Sequence, residues 1–339
     1  MRLENTGGQE FEAGSTKKTL INEFFDSYFK LFVNDSKYGV SAEDKIIYSR
    51  SDTLFYSYKD FIKNYCDGDM GVVLSNLPTY AKTFMTTFDP SWTAKAVQKE
   101  YGLERLNVII FGLKTTTLIP YILFIQSSAM NEEKLKMYAT LEKYIMRRTI
   151  TRESTKNYNR MFTSFLTNKV LDNDKLIEEL KSASQNTTSI PNDEELETAF
   201  DNSKLYNLQA KGVLYLIEAS LRDHKDSTAL LGFDSYSLEH LMPKKWRNEW
   251  AECKDEEKRD SVLLTLGNLA IITQSLNASI RDGNWTTKLN GKSEKPGLKA
   301  CSSGLKTMGD VVNKVAWNED EISERSDWLK EKAKAIWTI

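Results

Sequence analysis

The apolar residues of this 339-residue chain change their period once, near residue 230, and that change constrains the fold more than any other feature. Upstream, apolar positions recur at helical spacing between short polar loops. Asn131 precedes two glutamates and a run through Leu135, Tyr138, Leu141 and Ile145, which predicts a helix over about 132–148 ending in Arg147 and Arg148. Asn192 followed by Glu195 has capping-box spacing ahead of Leu196, Ala199 and Phe200. A further helix is expected over about 205–221, burying Leu208, Val213, Leu214, Ile217 and Leu221. Gly232 breaks the pattern. Phe233 to Leu241 then alternates like a strand, and Leu263 to Ile272 forms a second apolar run around Gly267 and Asn268. The chain closes on an amphipathic helix capped by Asn318 with Glu321 behind it, turning Ile322, Leu329, Ala333 and Ile336 inward and ending at Trp337. The expectation is a mainly α chain: a helical region over 1–230, serving as scaffold or as partner or DNA contact, and a smaller domain over 231–339.

Several chemistries are excluded by what the chain lacks. Cys66, Cys253 and Cys301 are odd in number, far apart and never in a C-x-x-C pair, which argues against a disulfide framework or a cysteine zinc site and fits a reducing cytoplasm. Met1-Arg2-Leu3-Glu4-Asn5 is polar, with no signal-peptide character. The most apolar stretch, Val108 to Ile125, is broken by Gly112, Lys114 and Pro120, so it reads as buried core and no membrane span is expected. The N-x-S/T triplets at Asn186, Asn277 and Asn284 read as chance matches. There is no G-x-S-x-G elbow, no phosphate-cradling glycine loop and no third histidine for a zinc site. Trp246, Trp250 and Trp285 read as core rather than as platforms for stacked bases.

With a net charge of -2, any contact with nucleic acid must be local. Two windows qualify: Arg147, Arg148, Arg152, Lys156 and Arg160 against Glu153, and Arg281 to Lys314, where seven basic residues face Asp282, Glu294 and Asp310. For an isolated window the plain alternative is a solvated face. Of the two histidines, His224 lies in a charged loop and is expected to be exposed. His240 lies in Ser237-Leu238-Glu239-His240-Leu241-Met242-Pro243, a strand stopped by proline with an acid directly before the imidazole.

Downstream of His240 come Leu266-Gly267-Asn268-Leu269-Ala270-Ile271-Ile272, then Asn277, Trp285 and Lys288. With these residues the chain resembles the HNH, or ββα-metal, nucleases, and in particular the C-terminal domain of GmrSD-type modification-dependent restriction enzymes. The resemblance covers about 231–339, and more weakly the helices of about 135–221. It implies a helical region followed by a ββα-metal nuclease domain with a terminal helix, acting as a cytoplasmic DNA endonuclease of defence. A water made nucleophilic near neutral pH needs a base, and an imidazole suits that task, which makes His240 the expected general base. The leaving oxygen needs a counter-charge, which a divalent cation, Mg2+ or Mn2+, would supply, with Asn277 as leading ligand.

Glu239 holds the family's acidic position as candidate second ligand, although sequence does not separate a glutamate on the metal from one beside it. Asn268 is expected to fix the loop and the imidazole, or else to be a plain turn asparagine. Lys288, Lys292, Lys295 and Lys299 are expected to hold the DNA backbone. Such enzymes begin with, or pair with, a ParB-like nucleotide-binding domain, and none of its motif is found, so that domain is an expected partner. The rival expectation is a non-catalytic helical adaptor carrying a degenerate HNH-like fold.

Overall fold

A computed structural model describes residues 8–13, 16–182, 188–223, 225–226, 228–248, 250, 253 and 255–339, with Ser51 as backbone only. His224, Asn186 and the first five residues, on which expectations were stated above, lie outside the described residues. The chain divides into two compact units, Met1–Pro90 with Lys114–Thr140 and Ser154–Ser189, and Ser91–Leu113 with Leu141–Glu153 and Ile190–Ile339. Both are mainly α, and the described strands form only two-stranded sheets.

In the first unit, β1 (Glu10–Ala13) pairs antiparallel with β2 (Thr16–Thr19), which leads into α1 (Leu20–Val33), capped by the Thr19 side chain. Aromatic residues at helical spacing make α1 the centre of this core. Phe29 meets Phe61 of α2 (Leu54–Tyr65), and Phe24 meets Phe84 of α3 (Leu77–Thr87). Helix α4 (Ile119–Ser128) is apolar around most of its circumference and correspondingly buried. Its Tyr121 packs on Phe165 of α6 (Tyr158–Thr167) and donates its hydroxyl to Val170 O. Between these in sequence lies α5 (Asn131–Ile150), which belongs to this unit up to Thr140 and to the second unit from Leu141, and α7 (Asn173–Ser182) completes the first unit. Leu135, expected inward on α5, is 61% exposed, because the apolar stripe is covered only from Met137 onward. Among the described residues no helix is long and apolar enough to cross a membrane.

The second unit takes in all of 231–339 and adds upstream segments through buried polar links. Arg105 forms an ion pair with Glu142 at 2.5 Å, and the Trp337 indole donates to the same carboxylate. Arg147, read from sequence as a surface or helix-dipole cation, is buried and bonds Pro191 O, Trp337 O and Asp193. Arg148 is buried as well, so this half of the first basic window is interior, and the Arg147 guanidinium satisfies carbonyls that would otherwise be left unpaired. The Asn192–Glu195 capping box opens α8 (Asp193–Asn202) as expected. Helix α9 (Asn207–Leu221) buries Val213, Leu214 and Ile217 and lies against β3 (Tyr236–His240) and β4 (Leu269–Thr273). These strands pair antiparallel, with Glu239 opposite Ala270 and His240 opposite Leu269.

Strand β4 runs directly into α10 (Gln274–Ile280), capped by Thr273, and α11 (Trp285–Asn290), capped by Asn284, follows. A small hairpin, β5 (Gly291–Lys292) and β6 (Lys295–Pro296), comes next. The terminal helix α12 (Glu319–Ile336) is capped by Asn318 and buries Ile322, Leu329 and Ala333. It approaches the β4 loop so closely that a Cβ on Gly267 would lie 2.3 Å from Ile322 O. Arg325 of α12 is buried there and donates to the carbonyls of Leu266, Gly267 and Leu269.

Candidate active site

The end of β3 is fixed by Asn268. Its backbone oxygen accepts from Leu241 N at 2.9 Å and its Oδ1 from Met242 N at 2.8 Å, while its Nδ2 donates to Met242 O and Leu263 O. The Trp317 indole gives Oδ1 a second donor. Every polar atom of this buried side chain is therefore committed to holding the turn after His240, which leaves nothing for a metal or a substrate. The tryptophans continue the support. Trp317 stacks on Trp285, Trp285 meets Trp250 edge-on, and the Trp250 indole donates to Gly283 O. Trp246 and Trp285 are buried, as a core role requires.

Asn277 of α10 reaches back to β3, donating its amide hydrogens to Ser237 Oγ at 2.9 Å and Leu238 O at 3.2 Å. With those hydrogens engaged, the amide oxygen is the end left for a cation. Glu239, two residues along the strand from Ser237 and on the same face, is buried and ion-paired to Lys288 Nζ. The same ammonium donates to His240 O at 2.6 Å. Burial pushes the Glu239 carboxyl up and the Lys288 ammonium down, and each partner opposes the shift of the other. Lys288 is only 1% exposed. The structure thus places it beneath the site and not among the surface lysines expected to grip DNA, because an acid buried at this strand end needs a counter-ion.

The His240 imidazole is half-buried. Burial, with the nearby charges of Lys244 and Lys288, lowers its pKa to about 4, against an opposing pull from Asp282. It is therefore neutral at neutral pH, the state a general base requires. Lys292 and Lys295 are exposed and stand directly opposite each other across the hairpin that follows α11, and Lys299 is exposed just beyond. Like charges placed in this way repel, an arrangement that suits a surface meeting an anion.

Two residues escaped the sequence reading. Lys244, exposed and four positions past His240, acts on the imidazole, and Asp282, weighed earlier only against the basic window, acts on His240, Glu239 and Lys288 alike. Their place between the marked residues, after Pro243 and between Asn277 and Lys288, was the available signal.

The donors present, a carboxylate and an amide oxygen, suit a hard divalent cation. Among the described residues no group of three or more His, Cys, Asp or Glu is gathered to hold a metal ion, so such a cation would complete its shell with water or phosphate oxygens. The arrangement is thus a strand pair followed by a helix, with an imidazole neutral at neutral pH at the end of the first strand. Residues 190–332 match the family model for GmrSD restriction endonucleases, C-terminal domain. No curated protein matches the chain.

Proposed function

We propose that the chain is a cytoplasmic, metal-dependent DNA endonuclease of the HNH type, serving in defence against foreign DNA whose chemical modification state is sensed. The observation that carries this reading is the β3–β4–α10 element: a neutral His240 ends a strand to which Asn277 is hydrogen-bonded, inside a stretch that matches the C-terminal domain of restriction endonucleases. In this reading residues 231–339 are the nuclease part and residues 1–230 its helical scaffold, with a ParB-like nucleotide-binding domain or subunit as partner.

His240 takes the proton from the attacking water, and Asn268 and Lys288 hold the strand end from which the imidazole projects. Asn277, with Glu239, would hold Mg2+ or Mn2+, which supplies counter-charge to the scissile phosphate and the leaving oxygen. Lys244, whose charge acts on the imidazole, would meet a phosphate oxygen, and Lys292, Lys295 and Lys299 would hold the backbone further along.

The test is a plasmid-cleavage assay with Mg2+ or Mn2+ on the purified chain and on His240→Ala. A loss of roughly two to four orders of magnitude in turnover at unchanged DNA affinity is expected for a positioned base. Equal cleavage by both ends the HNH assignment of this site, undiminished cleavage in EDTA overturns the metal-dependent mechanism, and no cleavage by the wild type returns the chain to the adaptor class.

A further inference from the structure

After α2 the chain of the first unit turns back at Gly68, whose backbone is left-handed (φ +78°) and whose N–H donates to Ile62 O. A single helical turn, Gly71–Leu74, then brings Val73 against α1, where the Tyr28 hydroxyl donates to Val73 O at 2.7 Å. On the other side α2 is tied to α1 by the Tyr58 hydroxyl, which donates to Phe25 O at 2.8 Å. These segments line a cavity of about 620 Å3, a size that suits a small molecule. Buried Tyr28 and Val73 lie at its base, and Phe55, Met70 and Leu74, each 50% exposed or more, also line it. Large apolar side chains left in water around a recess mark a surface that an apolar group covers.

The polar groups of the cavity define the rest of that molecule. Both tyrosine hydroxyls are engaged by backbone carbonyls. What remains is the Lys59 ammonium and the Asn22 side-chain amide, each exposed and neither in a hydrogen bond or ion pair with any described residue. No acidic residue lines the cavity. It therefore presents apolar walls, one positive charge and one neutral amide, and a single anionic group can accept from both donors.

We infer that this cavity binds an amphiphilic anion, with its apolar body among Tyr28, Tyr58, Val73 and Leu74 and its anionic head at Lys59 and Asn22. The site lies wholly within the first unit and does not depend on the nuclease reading.

Isothermal titration calorimetry of the full chain with dodecanoate, kept below its micellar concentration, tests the assignment. One dodecanoate per chain is expected. Decanoate, two methylenes shorter, should bind roughly tenfold more weakly, since each buried methylene contributes to the affinity. Lys59→Gln should weaken dodecanoate roughly fivefold, and dodecyltrimethylammonium, with the same tail and a cationic head, should bind the wild type more weakly still. Leu74→Asn should weaken dodecanoate roughly tenfold, whereas Ile46→Asn, which removes an exposed apolar residue that does not line the cavity, should leave uptake as in the wild type. No uptake of dodecanoate, equal uptake of the two head groups, or the same loss in Ile46→Asn as in Leu74→Asn overturns the assignment. A chain that dimerises through this face, excludes dodecanoate and becomes monomeric on Leu74→Asn overturns it in favour of a second copy.

Discussion

His240 titrates well below an ordinary imidazole, and the direction of that shift has a kinetic consequence. Burial and two neighbouring ammonium groups disfavour the protonated form, so the imidazole is neutral from about pH 5 upward and gains its proton only as the pH falls through about 4. We expect the cleavage rate at saturating metal to be level between about pH 5.5 and 8 as far as this group governs it. An acid limb centred near 6.5, the value of a free imidazole, and abolished in the His240 variant would show that the imidazole is not shielded as described. Asn268 makes the complementary point: an asparagine with its oxygen and its amide hydrogens all engaged by Met242, Leu263 and Trp317 is an orienting residue and has no capacity left for chemistry.

At the scale of single elements, the β5–β6 hairpin separates two roles that looked alike in the sequence. Lys288 is interior, whereas Lys292, Lys295 and Lys299 are exposed, so changing the last three to Gln should weaken DNA binding and lower the slope of log affinity against log salt by roughly 0.9 for each phosphate that is no longer neutralised. Fluorescence anisotropy at several salt concentrations measures this. An unchanged slope would make the hairpin a solvated face. The same contrast shows what was legible beforehand. Period and capping revealed α8, α9, α12 and the strand pair, because each is encoded by neighbours three to four, or two, positions apart. The roles of Lys288 and Asp282 depend on how α10 and α11 pack against β3, across about 40 to 50 residues of sequence, and a basic run looks the same whether its members face water or a buried acid. Arg147 was misplaced for the same reason, since its partners Pro191 and Trp337 are far along the chain.

At the scale of the whole second unit, buried charge connects segments remote in sequence. Arg105 and Glu142 are shielded from solvent, and the arginine also bonds Leu216 O and Ser220. Arg105→Ala should therefore destabilise the unit by about 3–5 kcal/mol in urea denaturation, since Glu142 loses its buried counter-ion and keeps the neutral Trp337 indole as a donor, while Arg105→Met with Glu142→Leu should cost markedly less. Equal losses in the two variants would argue against an uncompensated charge as the cause. The packing of α12 on the β4 loop acts over a similar span. Asn268 keeps its place because Trp317 and Arg325 hold it and its flanking carbonyls, and Gly267 admits α12 at backbone distance. During synthesis the ribosome delivers His240, Asn268 and Asn277 well before either of those supports, and a nascent chain folds from its N-terminal side. A chain still being translated thus carries all three residues before the Trp317 and Arg325 bonds that hold Asn268 and its flanking carbonyls can form.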